Sequence, residues 1–453
     1  MRTRVKTGRE SYAQILRLAL PIVIQNLFSA AISSTDVIML NSVGQSSVSA
    51  VSLAVQYSNI LYMVYYGLGT GATMLCAQYW GKGNLEAIEK VEGIALRFAV
   101  GISLLFAIPA AFFPGQMMTL FTSDQELIGI GMSYLRIISV SYLCWGFSEV
   151  YLSTLRSVER VKTSTTLNVG ALLINVCLNA VFVYGLFGAP RLGAMGVALA
   201  TSISRVLQLI ACFCVSFASK NVRLRPDAMF WKGGVLMRDF LQLSVPALAN
   251  DIIWSVGFSM YSVIMGHMGS DVVAANAIVV VVRNFGTVLC YSIASASGIF
   301  VGKEIGANRL EDADRDASRS MHLTVVAGVF GGLLVAVVMP FALRFASLSE
   351  TASGYLRIML LINIYYIMGT AVNTTLIAGI FRAGGDSRFG LICDTIDMWC
   401  YAVPLGFLAA FALKLPPIWV YFLLCTDEFV KWPWVLHHYK SRKWLKNITR
   451  EGV

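Results

Sequence analysis

The sequence predicts an all-α membrane protein: twelve transmembrane helices in two six-helix lobes, related by a pseudo-two-fold axis along the membrane normal. Three observations predict it. Of 453 residues, 57% are apolar and only 13% charged, whereas a soluble domain carries roughly a quarter charged residues. The apolar residues come in runs, such as Phe98 to Phe113, Leu172 to Phe187 and Val325 to Val338. A helix needs about 20 such residues to cross about 30 Å of hydrocarbon. Finally, the second half of the chain repeats the first.

Runs and breakers divide the chain into spans near 13–40, 48–78, 93–113, 127–154, 165–187, 193–218, 238–266, 272–302, 320–346, 351–380, 388–413 and 417–438. The first span follows a basic start (Arg2, Arg4, Lys6, Arg9) but carries Pro21, Gln25, Asn26 and Asp36. It has neither the short apolar core nor the small-residue cleavage site of a signal peptide, so it reads as a permanent span.

Sidedness follows from the basic residues. The segments on one side hold 26 of the 35 Lys and Arg, against three (Arg191, Arg344, Lys414) on the other. The richer side, with both termini, is therefore expected in the cytoplasm, across a cell membrane. The net charge of +10 then sets orientation and is not a nucleic-acid footprint. Trp432, Trp434, Tyr439 and Trp444 among basic residues of the tail suit an interfacial anchor.

The repeat is read by sliding the chain on itself by 225 residues: Leu18 and Pro21 fall on Leu243 and Pro246, Gly44 on Gly269, Gly81 on Gly306, and Leu85-Glu86 on Leu310-Glu311. Tyr134-Leu135-Arg136-Ile137 recurs as Tyr355-Leu356-Arg357-Ile358. Six spans per half is an even number, so the copies enter the membrane with the same sidedness, a parallel repeat. The expected division is a first lobe over 1–218, a basic cytoplasmic linker over 219–237 and a second lobe over 238–453.

Some chemistries are excluded. The nine cysteines form no CxxC, and the pair Cys212 and Cys214 lacks a His or acidic neighbour, so disulfide or zinc use is not expected. Without a Gly-x4-Gly-Lys-Ser/Thr sequence, nucleotide hydrolysis does not drive the protein directly. His267, His322, His437 and His438 lie far in sequence from any intramembrane acid, which argues against a polytopic enzyme.

Intramembrane acids are costly when charged and are functional candidates by default. Asp36 lies fifteen residues after Pro21, about 22 Å along a helix, in the outer half of span one. Pro21 and its counterpart Pro246 each remove a helical hydrogen bond and can act as bend points. Asn175 and Asn179, at i and i+4, share one face of span five. Asp251 follows Pro246 by five residues, with Arg283 in the next span as a candidate partner. Asp394 and Asp397 begin span eleven, where an interfacial place or a pairing with Arg382 is expected. Glu149 and Arg156, seven apart, suit a gate or helix-end pair. Tyr57, Tyr62, Tyr65, Tyr365 and Trp254 fit either helix packing or an aromatic substrate cavity.

Four stretches taken together resemble the multidrug and toxic compound extrusion (MATE) family over nearly the whole chain. They are Leu18-Ala19-Leu20-Pro21 with Asp36 and Gly44; the paired loops Gly81-Lys82-Gly83-Asn84-Leu85-Glu86 and Gly302-Lys303-Glu304-Ile305-Gly306-Ala307-Asn308; Pro246 with Asn250-Asp251 and Trp254; and Arg382-Ala383-Gly384-Gly385-Asp386-Ser387. The resemblance implies a secondary antiporter exporting amphipathic, often cationic small molecules in exchange for H⁺ or Na⁺. It implies no cofactor, no nucleic acid partner, and a monomer in the lipid bilayer. In parts of the family an Asn and an Asp at the spacing of Asn175 and Asn179, a Thr at Thr201 and the span-one acid form one cation site. Here the second position is Asn179, which leaves the ion open. Asp251 stands where the family more usually has Glu. A lipid-linked oligosaccharide flippase shares the two-lobed plan, but it would want a strongly cationic cavity. The copies also differ in chemistry, since Asp36 aligns with Tyr261 and Asp251 with Asn26.

Overall fold

The computed structural model describes residues 8–41, 43–219, 222–231, 234–345 and 348–452; the side chains of 8, 33, 34, 36–38, 41 and 226 lie outside that description. Every regular element among these residues is helical. The spans are α1 (Gly8–Asn41), α2 (Gln45–Lys82), α3 (Leu85–Phe112), α4 (Gln125–Ser157), α5 (Val161–Tyr184), α6 (Ala194–Ala218), α7 (Gly234–Gly266), α8 (Ser270–Gly306) and α9 (Leu310–Phe345). They continue with α10 (Glu350–Phe381) and α11 (Ser387–Ala412).

These eleven are, among the described residues, long and apolar enough to cross a membrane. The twelfth span differs in form. It is built from three short helices, Pro417–Leu424, Asp427–Val430 and Trp432–Lys440, here together called α12. The reason lies in its sequence: Asp427, Glu428 and Lys431 interrupt the apolar run, and Pro433 starts a new helix because it cannot continue the old one.

Local signals set the helix ends. The Asn84 side chain accepts a hydrogen bond from the Ala87 amide at 3.0 Å and caps α3, directly after Gly83 closes α2 in the left-handed region (φ 77°). Asp124 caps α4 and Ser349 caps α10 in the same manner. Such caps satisfy amides that the first helical turn leaves without partners.

The chain forms two compact units. The N-unit spans 24–244; the C-unit joins 245–450 with the described residues through Val23. Both seams fall just beside the prolines of α1 and α7. In the C-unit, the first turns of α1 are held by Arg319, which donates to Ser11 Oγ at 2.8 Å, and by Tyr12 against His322 at 3.1 Å. In the N-unit, Phe240 of α7 stacks on Phe98 of α3 at 6.0 Å between centroids. A Cβ placed on Gly71 would fall 1.7 Å from Ser244 Oγ, so only glycine permits that approach of α2 and α7. In the C-unit, a Cβ on Gly331 would meet the Gly286 carbonyl oxygen at 2.5 Å. Small residues bring membrane helices this close where lipid supplies no hydrophobic drive.

The linker is fastened to the N-unit. Arg97 of α3 donates to the Met229 and Trp231 carbonyls, each at 2.7 Å, Arg225 pairs with Glu89 at 3.3 Å, and Lys90 lies 4.7 Å over the Trp231 ring. Three π-helical stretches, Thr375–Phe381, Asp397–Ala402 and Leu408–Ala412, interrupt α10 and α11. Such wide turns are rare and concentrate at functional sites.

Candidate functional site

In the N-unit the amides fixed by helical spacing do meet a hydroxyl across α5 and α6. Asn175 donates to Thr201 Oγ1 at 3.1 Å, and Asn179 donates to Asn175 Oδ1 at 3.3 Å; both asparagines are buried. Asp36 belongs to α1 by its backbone, but its side chain lies outside the described residues. Pro21 and Pro246 stand inside the continuous helices α1 and α7.

The aromatic residues differ in their surroundings. Tyr57 and Tyr65 are packing residues with satisfied hydroxyls: Tyr57 donates to the Phe106 carbonyl at 2.9 Å, and Tyr65 bonds Ser103 at 2.6 Å. Tyr62 is 42% exposed and stacks on Trp145 at 5.6 Å, with the Arg205 guanidinium 4.6 Å over the same indole. Glu149 and Arg156 pair at 3.1 Å, and Arg156 also donates to Ser153 Oγ.

The C-unit departs from expectation. Asp251 pairs with Arg382 at 2.6 Å, not with Arg283. Arg283 lies over the Phe258 ring at 4.2 Å. The reason is depth: Phe258 is seven residues beyond Asp251, about 10 Å along α7. Asp394 and Asp397 are not partnered by Arg382. Both are buried and are held by Lys431, whose Nζ lies 3.3 Å from Asp394 Oδ1, Asp397 Oδ2 and Glu428 Oε2 alike.

A continuous buried network results. Arg382 donates to Asn250 Oδ1 at 3.0 Å, Asn250 donates to Asp394 Oδ2 at 2.7 Å, and Asp394 leads to Lys431. Asn373 donates to the Glu428 carboxylate at 2.5 Å. Beside it, Tyr261 donates to Asp427 Oδ2 at 2.8 Å, and Tyr366 approaches the same oxygen at 3.5 Å. Four spans, α7, α10, α11 and α12, thus pool five carboxylates (Asp251, Asp394, Asp397, Asp427, Glu428) and two cations (Arg382, Lys431). Charged groups at such depth are retained at high cost, and they mark ion and substrate pathways.

The residues missed from sequence were Asp427, Glu428, Lys431 and Asn373. A signal was present, since three charges within five residues of an otherwise apolar last span are unusual, but nothing local names their partners. Tyr261, the position the repeat aligns with Asp36, carries no acid itself and instead donates to one supplied by α12.

Next to this network lies a cavity of about 280 Å³ lined by residues that include Trp254, Phe258, Arg283, Tyr291 and Tyr366. Tyr365 does not line it; its hydroxyl donates to the Cys425 carbonyl at 3.3 Å. A larger pocket of about 690 Å³ in the N-unit includes Ser47, Tyr184 and Arg191.

Comparison with known proteins agrees with this architecture. The MatE family profile matches twice, over residues 21–181 and 246–408, once in each half. The chain is 21% identical to an uncharacterized transporter, YisQ, of Bacillus subtilis over 98% of its own length and 97% of the relative's. It is 25% identical to the probable multidrug resistance protein NorM of Bradyrhizobium diazoefficiens, covering 93% and 91% of the two chains. Among solved structures, a mutant of the Vibrio cholerae MATE transporter VcmN superposes with a TM-score of 0.86 at 14% identity, covering 97% of this chain and 99% of that one. A MOP superfamily transporter from Pyrococcus furiosus does so with a TM-score of 0.84 at 18% identity, covering 97% of each chain. The profile falls on both repeats, each time starting at the proline inside the helix, and the chain belongs to the MatE family of multi-pass membrane transporters, which are not enzymes.

Proposed function

We propose that this transporter is a secondary antiporter, exporting amphipathic drugs or toxic compounds in exchange for H⁺ or Na⁺. The observation that carries the reading is the buried network of the C-unit in a chain of this family. Its five carboxylates face two cations, which leaves room for an exchangeable cation or proton inside the membrane. Taking up or giving back that charge changes which buried pairs are satisfied, and so biases one arrangement of the helices over another. In the N-unit, Asp36 with Asn175, Asn179 and Thr201 supplies a second, less charged set of oxygens for coupling. Pro21 and Pro246 supply the bends, and the aromatic cavity beside Trp254 takes substrate. The protein acts as a monomer in the cytoplasmic membrane with both termini inside.

Asp251 tests the C-unit's share. Asp251→Asn keeps the shape but removes the carboxylate on Arg382. Cells carrying it are expected to lose drug resistance while the protein stays at its normal membrane level. Full resistance at equal protein level would remove Asp251 from the coupling machinery.

A further inference from the structure

Arg283 is the unusual residue of the C-unit cavity. It is 8% exposed, and its guanidinium lies 4.2 Å over Phe258. Among the described residues it has neither an ion pair nor a hydrogen bond. None of the nearby acids pairs with it: Asp251 is on Arg382, Asp394, Asp397 and Glu428 are on Lys431, and Asp427 accepts from Tyr261. A buried guanidinium with no carboxylate bonded to it is costly, and a ring face compensates only part of that cost.

The surroundings indicate what would complete it. Besides Arg283, the cavity presents Trp254, Phe258, Tyr291 and Tyr366 together with the Thr287 hydroxyl. Its volume of about 280 Å³ is just below the range of roughly 300–1,000 Å³ usual for small-molecule pockets. The planar guanidinium fork matches a carboxylate in a two-point hydrogen bond. Aromatic walls favour a flat apolar body. We propose that this cavity binds small aromatic molecules carrying a carboxylate, with the anionic group seated on Arg283. The inference rests on the export reading and deepens it by placing an anion-recognising residue, Arg283, in the C-unit cavity, where the family resemblance implies amphipathic and often cationic substrates.

The test uses the purified full-length protein in detergent micelles and three probes of matched shape: 1-naphthoate, its methyl ester, and 1-naphthylmethylammonium. Equilibrium dialysis is expected to show naphthoate bound about tenfold tighter than the ester, as one charge-assisted hydrogen-bonded pair allows, and the ammonium bound weakest. Arg283→Gln is expected to abolish the preference for naphthoate, and Arg283→Lys to keep part of it. Equal binding of the three probes, a preference for the ammonium, or a naphthoate preference that survives Arg283→Gln would each overturn the proposal. The wild-type comparison decides even where a variant fails to fold. No ion gradient is present, so this result stands or falls separately from gradient-driven export.

Discussion

Lys431→Met is expected to cost this protein more stability than any other single replacement considered. The Lys431 side chain is 3% exposed, and its ammonium stands 3.3 Å from three carboxylates. Methionine fills similar space but leaves Asp394, Asp397 and Glu428 facing one another without a cation. Removing one partner of a buried pair costs about 3–5 kcal/mol, because the other charge is left uncompensated. Many proteins have only about 5–15 kcal/mol in total. The apparent melting temperature of the detergent-solubilised protein is expected to fall by about 3–5 °C, with less monodisperse material recovered. Adding Asp397→Asn and Glu428→Gln to Lys431→Met is expected to restore much of the loss, since it removes the stranded charges. An unchanged melting temperature in the single mutant would mean the network does not hold α11 and α12 together.

Asp36→Asn is expected to have the largest functional effect, with drug resistance falling to the level of cells lacking the transporter while membrane abundance is unchanged. Asp36 lies about 22 Å beyond Pro21 along α1, in the half of the span away from the N-terminus, where a carboxylate is expensive unless it works. Asparagine preserves volume and hydrogen bonding but cannot gain or lose a proton and brings no charge to a cation. Abundance is measured by immunoblotting isolated membranes, and resistance by growth in graded drug. Resistance equal to wild type at equal abundance would remove Asp36 from the coupling reading. The repeat sharpens this expectation: the C-unit carries Tyr261 at the aligned position and receives its acid from α12, so Asp36 has no internal duplicate.

The fold was legible because the bilayer imposes a strong rule: a span must satisfy its own backbone, so long apolar runs become helices. The eleven long helices appear where those runs lie. The last span was less legible because three charges interrupt its apolar run and Pro433 breaks its hydrogen-bond ladder. Among the site residues, Asn175 and Asn179 could be placed on one face by helical spacing alone, and Thr201 joins them. Partners far apart in the chain were harder. Arg283 was the expected partner for Asp251, and Arg382 was expected beside Asp394 and Asp397; the actual pairing depends on the relative depth of α7, α8 and α10. Lys431 was harder still, because its acids come from α11 and from its own broken span. Which unit the first turns of α1 and α7 pack with is likewise a matter of helix angle, which a shift of 225 residues does not encode.

The most direct test of cation-coupled export is substrate flux from proteoliposomes holding the purified protein and a loaded drug, with a pH or a Na⁺ gradient imposed in turn. One of the two gradients is expected to drive drug movement against its own concentration, and Asp36→Asn protein reconstituted at the same density is expected to move none. Accumulation under neither gradient, with oriented and folded wild-type protein in the membrane, would contradict cation-coupled export.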